Sequence, residues 1–220
     1  MPGAQADTIE GLRARIAALE KRAPLAGDGG RDGRFAGTGI LDLVASPDGL
    51  LQEVFADDRR SAGAGLGFIL GAARGRLTSG RPALIYLQLV ADAQETGVPY
   101  APGFADFGIE AGQMVMGRVE TVAELLWAME EALNCRAVAA VIADVPGADK
   151  TLDFTVSRRL NLKTAATGTT AYLLRYGTER EASAAVLRWR VGPSPAAPDR
   201  FDPQAPCPPR FAVMLEKSRM

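Results

Sequence analysis

The sequence predicts an α/β domain with a largely parallel sheet flanked by helices, extended at its C-terminal side by antiparallel edge strands. Three observations carry this. Short apolar runs alternate with helix-period segments along residues 50–177, the order expected of βαβ units. AVAAVIAD (137–144) is apolar without interruption until its aspartate, as a strand buried on both faces should be. VLRWRV (186–191) and RFAVMLEK (210–217) alternate instead, and read as two half-buried edge strands.

The elements follow in order. In DTIEGLRARIAALEK (7–21), Ile9, Leu12, Ile16 and Leu19 share one helical face. The glycine-rich and charged AGDGGRDGRFAGTG then reads as a linker. This divides the chain into an N-terminal amphipathic helix (1–22), a linker (23–40), an α/β domain (41–192) and a proline-rich tail with a terminal strand (193–220). The first helix has two open readings: an arm for a neighbouring protomer or partner, or an element folded back on its own core.

LLQEVFA (50–56) is the first strand, and LGFILGAARGRL (66–77) the helix after it. On that helix Gly67, Gly71 and Gly75 would form one bare strip suited to close backbone approach. PALIYLQLVAD (82–92) and QMVMGRV (113–119) are strands, with the proline-punctuated VPYAPGF (98–104) between them. Thr121 and Glu124 form a capping box that opens a helix whose stripe is Val122, Leu125, Leu126, Met129 and Leu133. LDFTVSRRLNLKTAATG (152–168) is a helix closed by Gly168, and TTAYLLRYG (169–177) another buried strand.

Composition narrows the chemistry. With 220 residues and 47% hydrophobic content there is material for one sizeable core. No apolar run approaches the roughly 18 residues of a membrane span, and the N-terminus lacks a signal-peptide core, so the expectation is a soluble cytoplasmic protein. Cys135 and Cys207 have no metal spacing. The absence of histidine excludes histidine-based nucleophile pairs and zinc sites. Charge is uneven: 12 Lys+Arg against 6 Asp+Glu from residue 150 onward, 13 against 20 before it. Such asymmetry fits a face for nucleic acid or an acidic partner, and equally an ordinary solvated surface.

RRSAGAGLGFILGAARGR (59–76) sits where a nucleotide loop would be expected, between a strand and a helix. A working P-loop ends in lysine and a hydroxyl residue, which offset phosphate charge and hold Mg²⁺. Here Gly65 is followed by Leu66 and Gly67, and no lysine lies between Lys21 and Lys150. Arg59 and Arg60 are cations out of place. The dinucleotide pattern is also incomplete: G-x-G-x-G, with Asp92 too far along for the ribose acid. Gly63, Gly65, Gly67 and Asp144 are the positions a nucleotide site would use, with no catalytic residue, metal or cofactor expected. On the residues alone three readings stay open: a phosphate loop, the relic of one, or a glycine-rich turn. Asp144 stands where an ATPase keeps its magnesium aspartate, and a polar residue at a strand end is also commonplace.

Several segments in order resemble the ImuA family of damage-induced mutagenesis proteins, with a RecA-like core. They are LLQEVF, VPYAPGFADFGIEAGQMVM, LLWAMEEALNCRAVAAVIADVPG, LDFTVSRRLNLKTAATGTTAYLLRYG and LRWRVGPSP, with LRARIAALEKR resembling the leading helix. The chain departs from the family at LEKSRM, where members usually continue through an Arg/Gly-rich turn into a further strand. Its linker also lacks the expected proline-glycine pattern. The resemblance implies a RecA-like fold with a lost or weakened ATPase, acting in SOS-induced error-prone translesion synthesis. It also implies that Gly63, Gly65, Gly67 and Asp144 are the relic of a nucleotide site. The implied partners are an ImuB-like protein, an error-prone replicative-type polymerase and the RecA filament or DNA.

Candidate contacts for DNA or a partner are Arg158 and Arg159 on the helix after Asp144, and Arg188 and Arg190 around Trp189. Trp189 could stack on a single-stranded base, although the alternation turns it to the core. A weak ATPase and a SulA-like inhibitor of cell division are the alternative readings. Homo-oligomerisation is left open.

Overall fold

The computed structural model describes residues 44, 49–145, 147, 149–196, 201–202 and 208–220. The predicted N-terminal helix, the linker and much of the proline-rich run lie outside the described residues. The strands are β1 (Leu51–Ala56), β2 (Ala83–Leu89), β3 (Met114–Val119), β4 (Val138–Val145), β5 (Thr170–Tyr176), β6 (Leu187–Ser194) and β7 (Arg210–Ser218). They form one seven-stranded sheet in the order β3-β2-β4-β5-β1-β6-β7. Every pairing is parallel except β6 with β7.

The helices are α1 (Ala62–Arg74), α2 (Val90–Thr96), α3 (Val122–Leu133) and α4 (Phe154–Thr167). The strand period of two separates two cores. On one face α1 supplies Phe68, Ile69 and Ala73 against Val54, Tyr86, Ile142, Tyr172, Leu174 and Trp189. On the other, α3 supplies Leu125, Met129 and Leu133, and α4 supplies Leu160, against Leu51, Leu87, Val141 and Leu173. β4 is buried at every position, as its unbroken apolar sequence requires.

Local signals hold where they are self-contained. Thr121 Oγ1 accepts from Glu124 N–H, and Glu124 Oε2 accepts from Thr121 N–H, so both halves of the capping box form at 3.2 Å. Gly168 ends α4 at φ 70°, the left-handed conformation that glycine adopts without strain.

Three expectations change. The helix after β1 begins at Ala62, so Gly63, Gly65 and Gly67 lie inside α1 and not in an open loop. The bare glycine strip is also not uniformly in contact. A Cβ on Gly67 would come within 2.6 Å of Phe211 Cζ, whereas one on Gly71 would meet nothing within 4 Å. Gly65, outside the expected strip, is packed about as tightly on the sheet: its Cβ would lie 2.7 Å from Leu174 Cδ1. Third, β6 is not an edge strand. It pairs with β1 as well as with β7 and buries Trp189 completely. Trp189 Nε1 donates to Gln52 Oε1 at 2.9 Å and its ring packs against Phe68. The indole is a core residue, unavailable to stack on a base.

Candidate functional site: a self-filled crevice at the carboxyl ends of the strands

The chain leaves β2 outward to β3 and leaves β4 in the opposite direction to β5, so the strand order reverses between β2 and β4. In open α/β sheets the crevice outside the carboxyl ends at such a reversal is the usual ligand site. Asp144, next to last in β4, is there.

Its carboxylate is already engaged. Tyr86 of β2 donates to Oδ2 at 2.7 Å, and Tyr176 at the end of β5 donates to Oδ1 at 2.6 Å. Both tyrosines pack in the α1-side core, so all three side chains point to that face. Burial is the largest influence on Asp144 and pushes its pKa above the ordinary carboxylate value, while the two hydroxyls pull it down. Burial also raises both phenols, and the negative Asp144 beside them raises them further. They are therefore fixed donors. Two neutral O–H groups satisfy one carboxylate oxygen each, an arrangement suited to holding a buried charge without a counter-ion.

The segment between β1 and α1 is closed in a related way. Asp58 caps a single 3-10 turn (Arg59–Ser61), its Oδ1 accepting from Ser61 N–H at 2.8 Å. That bond draws Asp58 below the usual carboxylate range. An aspartate thus accepts from an amide just ahead of α1, the helix end to which a phosphate would be drawn. Its charge repels an anion there. Arg59 is paired to Asp92 of α2 and to Glu95 Oε2 at 2.6 Å, near enough to Asp144 for its charge to draw that carboxyl down slightly. Asp92 Oδ2 is buried without a partner.

The relic-loop residues therefore separate. Gly63 is exposed near the start of α1, Gly65 and Gly67 are buried in helix packing, and Asp144 is held by tyrosines. The four arginines separate too. Arg158 is exposed on α4, and Arg159 Nε donates to Glu130 of α3 at 2.6 Å. Arg188 is buried against Glu53, its Nε donating to Oε2 at 2.8 Å. Arg190 forms a two-pronged pair with Asp57 at 2.8 and 2.6 Å. Sequence reasoning missed Tyr86, Tyr176, Asp58 and Glu53. For Tyr176 a signal existed, because it closes an apolar strand as Asp144 does. Tyr86 lies mid-strand and is recognisable only once β2 is placed beside β4.

Among the described residues no group of acidic or sulfur ligands is placed to hold a metal, and no helix is long and apolar enough to cross a membrane. No protein-family model matches the chain. Two curated relatives do: Protein ImuA of Caulobacter vibrioides strain NA1000 / CB15N, and Protein ImuA of strain ATCC 19089 / CIP 103742 / CB 15. Each is 32% identical over 130 residues, covering 54% of this chain and 51% of the relative. The chain spans about half the length of the curated relatives it matches. That similarity, alongside the α/β sheet, supports membership of the ImuA family.

Proposed function

We propose that the chain is a non-catalytic, RecA-like accessory protein of SOS-induced error-prone translesion DNA synthesis. It works as an adaptor between a RecA filament or DNA and an ImuB-like protein with its error-prone polymerase. The likeness to Protein ImuA supports the system; the crevice supports the absence of a motor. One observation carries that second part: Asp58 already accepts from the Ser61 amide just ahead of α1, while both oxygens of Asp144 accept from tyrosines. A nucleotide with Mg²⁺ would have to displace two tyrosines from Asp144 and meet Asp58, without a lysine to offset its charge.

Calorimetric titration with ATP and Mg²⁺ tests this directly. The expected result is no heat at millimolar nucleotide. Micromolar binding that disappears in Asp144→Asn would return the chain to the ATPases. In cells, loss of the protein should lower damage-induced mutation, and its overproduction should leave division unaffected. Filamentation on overproduction would favour a SulA-like inhibitor.

A further inference from the structure

The face opposite α1 carries a second polar group, away from the crevice. Glu53 of β1, Arg175 of β5 and Arg188 of β6 are all buried there, beside Phe55. The segment 177–186 crosses above them. Arg180 grips Glu216 of β7 through two bonds at 2.7 and 3.1 Å, Arg188 Nη2 donates to Glu181 O at 2.8 Å, and Lys217 Nζ donates to Ser183 O at 2.7 Å. Phe55 lies under three guanidiniums, those of Arg180, Arg175 and Arg188, at 3.9, 5.3 and 5.5 Å.

The pairing does not balance. Glu216 takes Arg180, Glu181 takes Arg175 at 3.1 Å, and Glu53 takes Arg188 at 2.7 Å. Among the described residues neither Lys217 nor Arg219 forms an ion pair with a carboxylate, Glu53 acting on both only at longer range. Lys217 stands opposite Arg188 in the β6–β7 register. Arg219, two residues on, turns to the same side, its backbone N–H donating to Val186 O at 2.9 Å. Arg219 Nη1 is buried and has no acceptor among the described residues. Burial, then the repulsion of Arg219 and Arg188, lowers the Lys217 ammonium to about 8. Burial and Arg188 lower Arg219 as well. Among the described residues the fold has thus placed Lys217 and Arg219 beside Arg188, and left Arg219 Nη1 and Glu53 Oε1 buried without hydrogen-bond partners. It has gathered five cations against the carboxylates of Glu53, Glu181 and Glu216, with Glu53 close enough to offset part of the repulsion on Lys217 and Arg219.

We propose that Lys217, Arg219 and Arg188 form a binding site for a phosphate-type oxyanion. Guanidinium and ammonium groups together favour a tetrahedral oxyanion with several acceptor oxygens. A charge near −2, as on inorganic phosphate or a phosphomonoester, would cancel the surplus. A nucleic-acid backbone offers the same chemistry at half that charge per phosphate. The site uses none of the crevice residues and stands independently of the translesion reading.

The chain has four lysines, Lys21, Lys150, Lys163 and Lys217, so a lysine-labelled sample resolves each ammonium by NMR. Titrations in chloride and in inorganic phosphate at matched ionic strength should lift the Lys217 midpoint from about 8 by about one unit, a tenfold preference for the protonated lysine, with the other lysines unmoved. Arg219→Gln should abolish the lift. A second measurement needs no variant: sulfate, which does not titrate here, should bind about fivefold more weakly at pH 9 than at pH 7. A short oligothymidylate separates the sources. A lift at micromolar strand assigns the site to nucleic-acid backbone; a lift in phosphate alone assigns it to free phosphate compounds. A Lys217 midpoint that phosphate leaves in place, a lift retained in Arg219→Gln, or pH-independent sulfate binding would overturn the proposal.

Discussion

Each face of the sheet buries one carboxylate that matters, and the two are held by opposite means. On the α1 face each oxygen of Asp144 accepts from a neutral hydroxyl. On the other face Glu53 is paired with Arg188 through Oε2, while Oε1 has only a 3.8 Å ion pair to Arg175 and no hydrogen bond, and the cations outnumber the carboxylates around it. The difference shows how a scaffold can close one site and leave another open. Neutral donors can satisfy every oxygen of a buried acid without bringing a counter-charge, although burial still holds Asp144 above the ordinary carboxylate value. Ion pairing discharges it only if the charges match in number.

Removing the acid from the charged side should have the largest effect. Glu53→Ala leaves Arg188 in the interior without its carboxylate, while Arg175 keeps Glu181, and breaking such a buried pair costs about 3–5 kcal/mol. Urea unfolding would measure it, and a loss under ~1 kcal/mol would mean that the face is wetter than its burial indicates. The neutral side should respond less. Tyr86→Phe deletes one bond to a carboxylate, worth about 1.5–3 kcal/mol. A double-mutant cycle with Asp144→Ala should show strong coupling; additive losses would separate the tyrosine from the aspartate.

Two glycines of α1 sharpen the same contrast, since only close helix-to-sheet packing keeps the α1 face closed. Gly65→Ala pushes a methyl against Leu174 and should cost on the order of 1–2 kcal/mol. Gly71→Ala meets open space and should stabilise the protein by about 0.5–1 kcal/mol. Thermal unfolding of the pair distinguishes them by sign.

The smallest effect is a pH slope. Lys217 releases its proton near 8 in the folded protein against 10.5 when unfolded, so the unfolded chain holds the extra proton between those values. The penalty for burying the ammonium is present below 8 and is relieved as pH rises through that window, so this group makes stability increase with pH there. Lys217→Met should remove the slope and raise stability at neutral pH in chloride. A slope unchanged in the variant would place its origin elsewhere.

Much of the architecture was legible because its signals are local. The capping box of α3, the glycine that ends α4 and the unbroken apolar run of β4 each depend on residues within one element. The end of β2 was not legible. PALIYLQLVAD reads as one strand, yet Val90–Thr96 is helical, and its Asp92 is held by Arg59 from the β1–α1 connection. The glycine segment misled for a related reason. Its composition suits a loop, and close packing on Leu174 and Phe211 draws it into a helix instead.

By itself the sequence determined the α/β class, the order of the strands along the chain, and the missing lysine and hydroxyl that an ATPase needs. These follow from periodicity and residue chemistry, which are properties of neighbours. Only the tertiary structure decided what fills the crevice and where charge is left unpaired. Asp144 meets Tyr86 and Tyr176 across separations of 58 and 32 residues. Glu53 meets Arg188 across 135. Strand order creates those meetings, and no local pattern in the chain encodes which buried acid will find a hydroxyl and which a guanidinium.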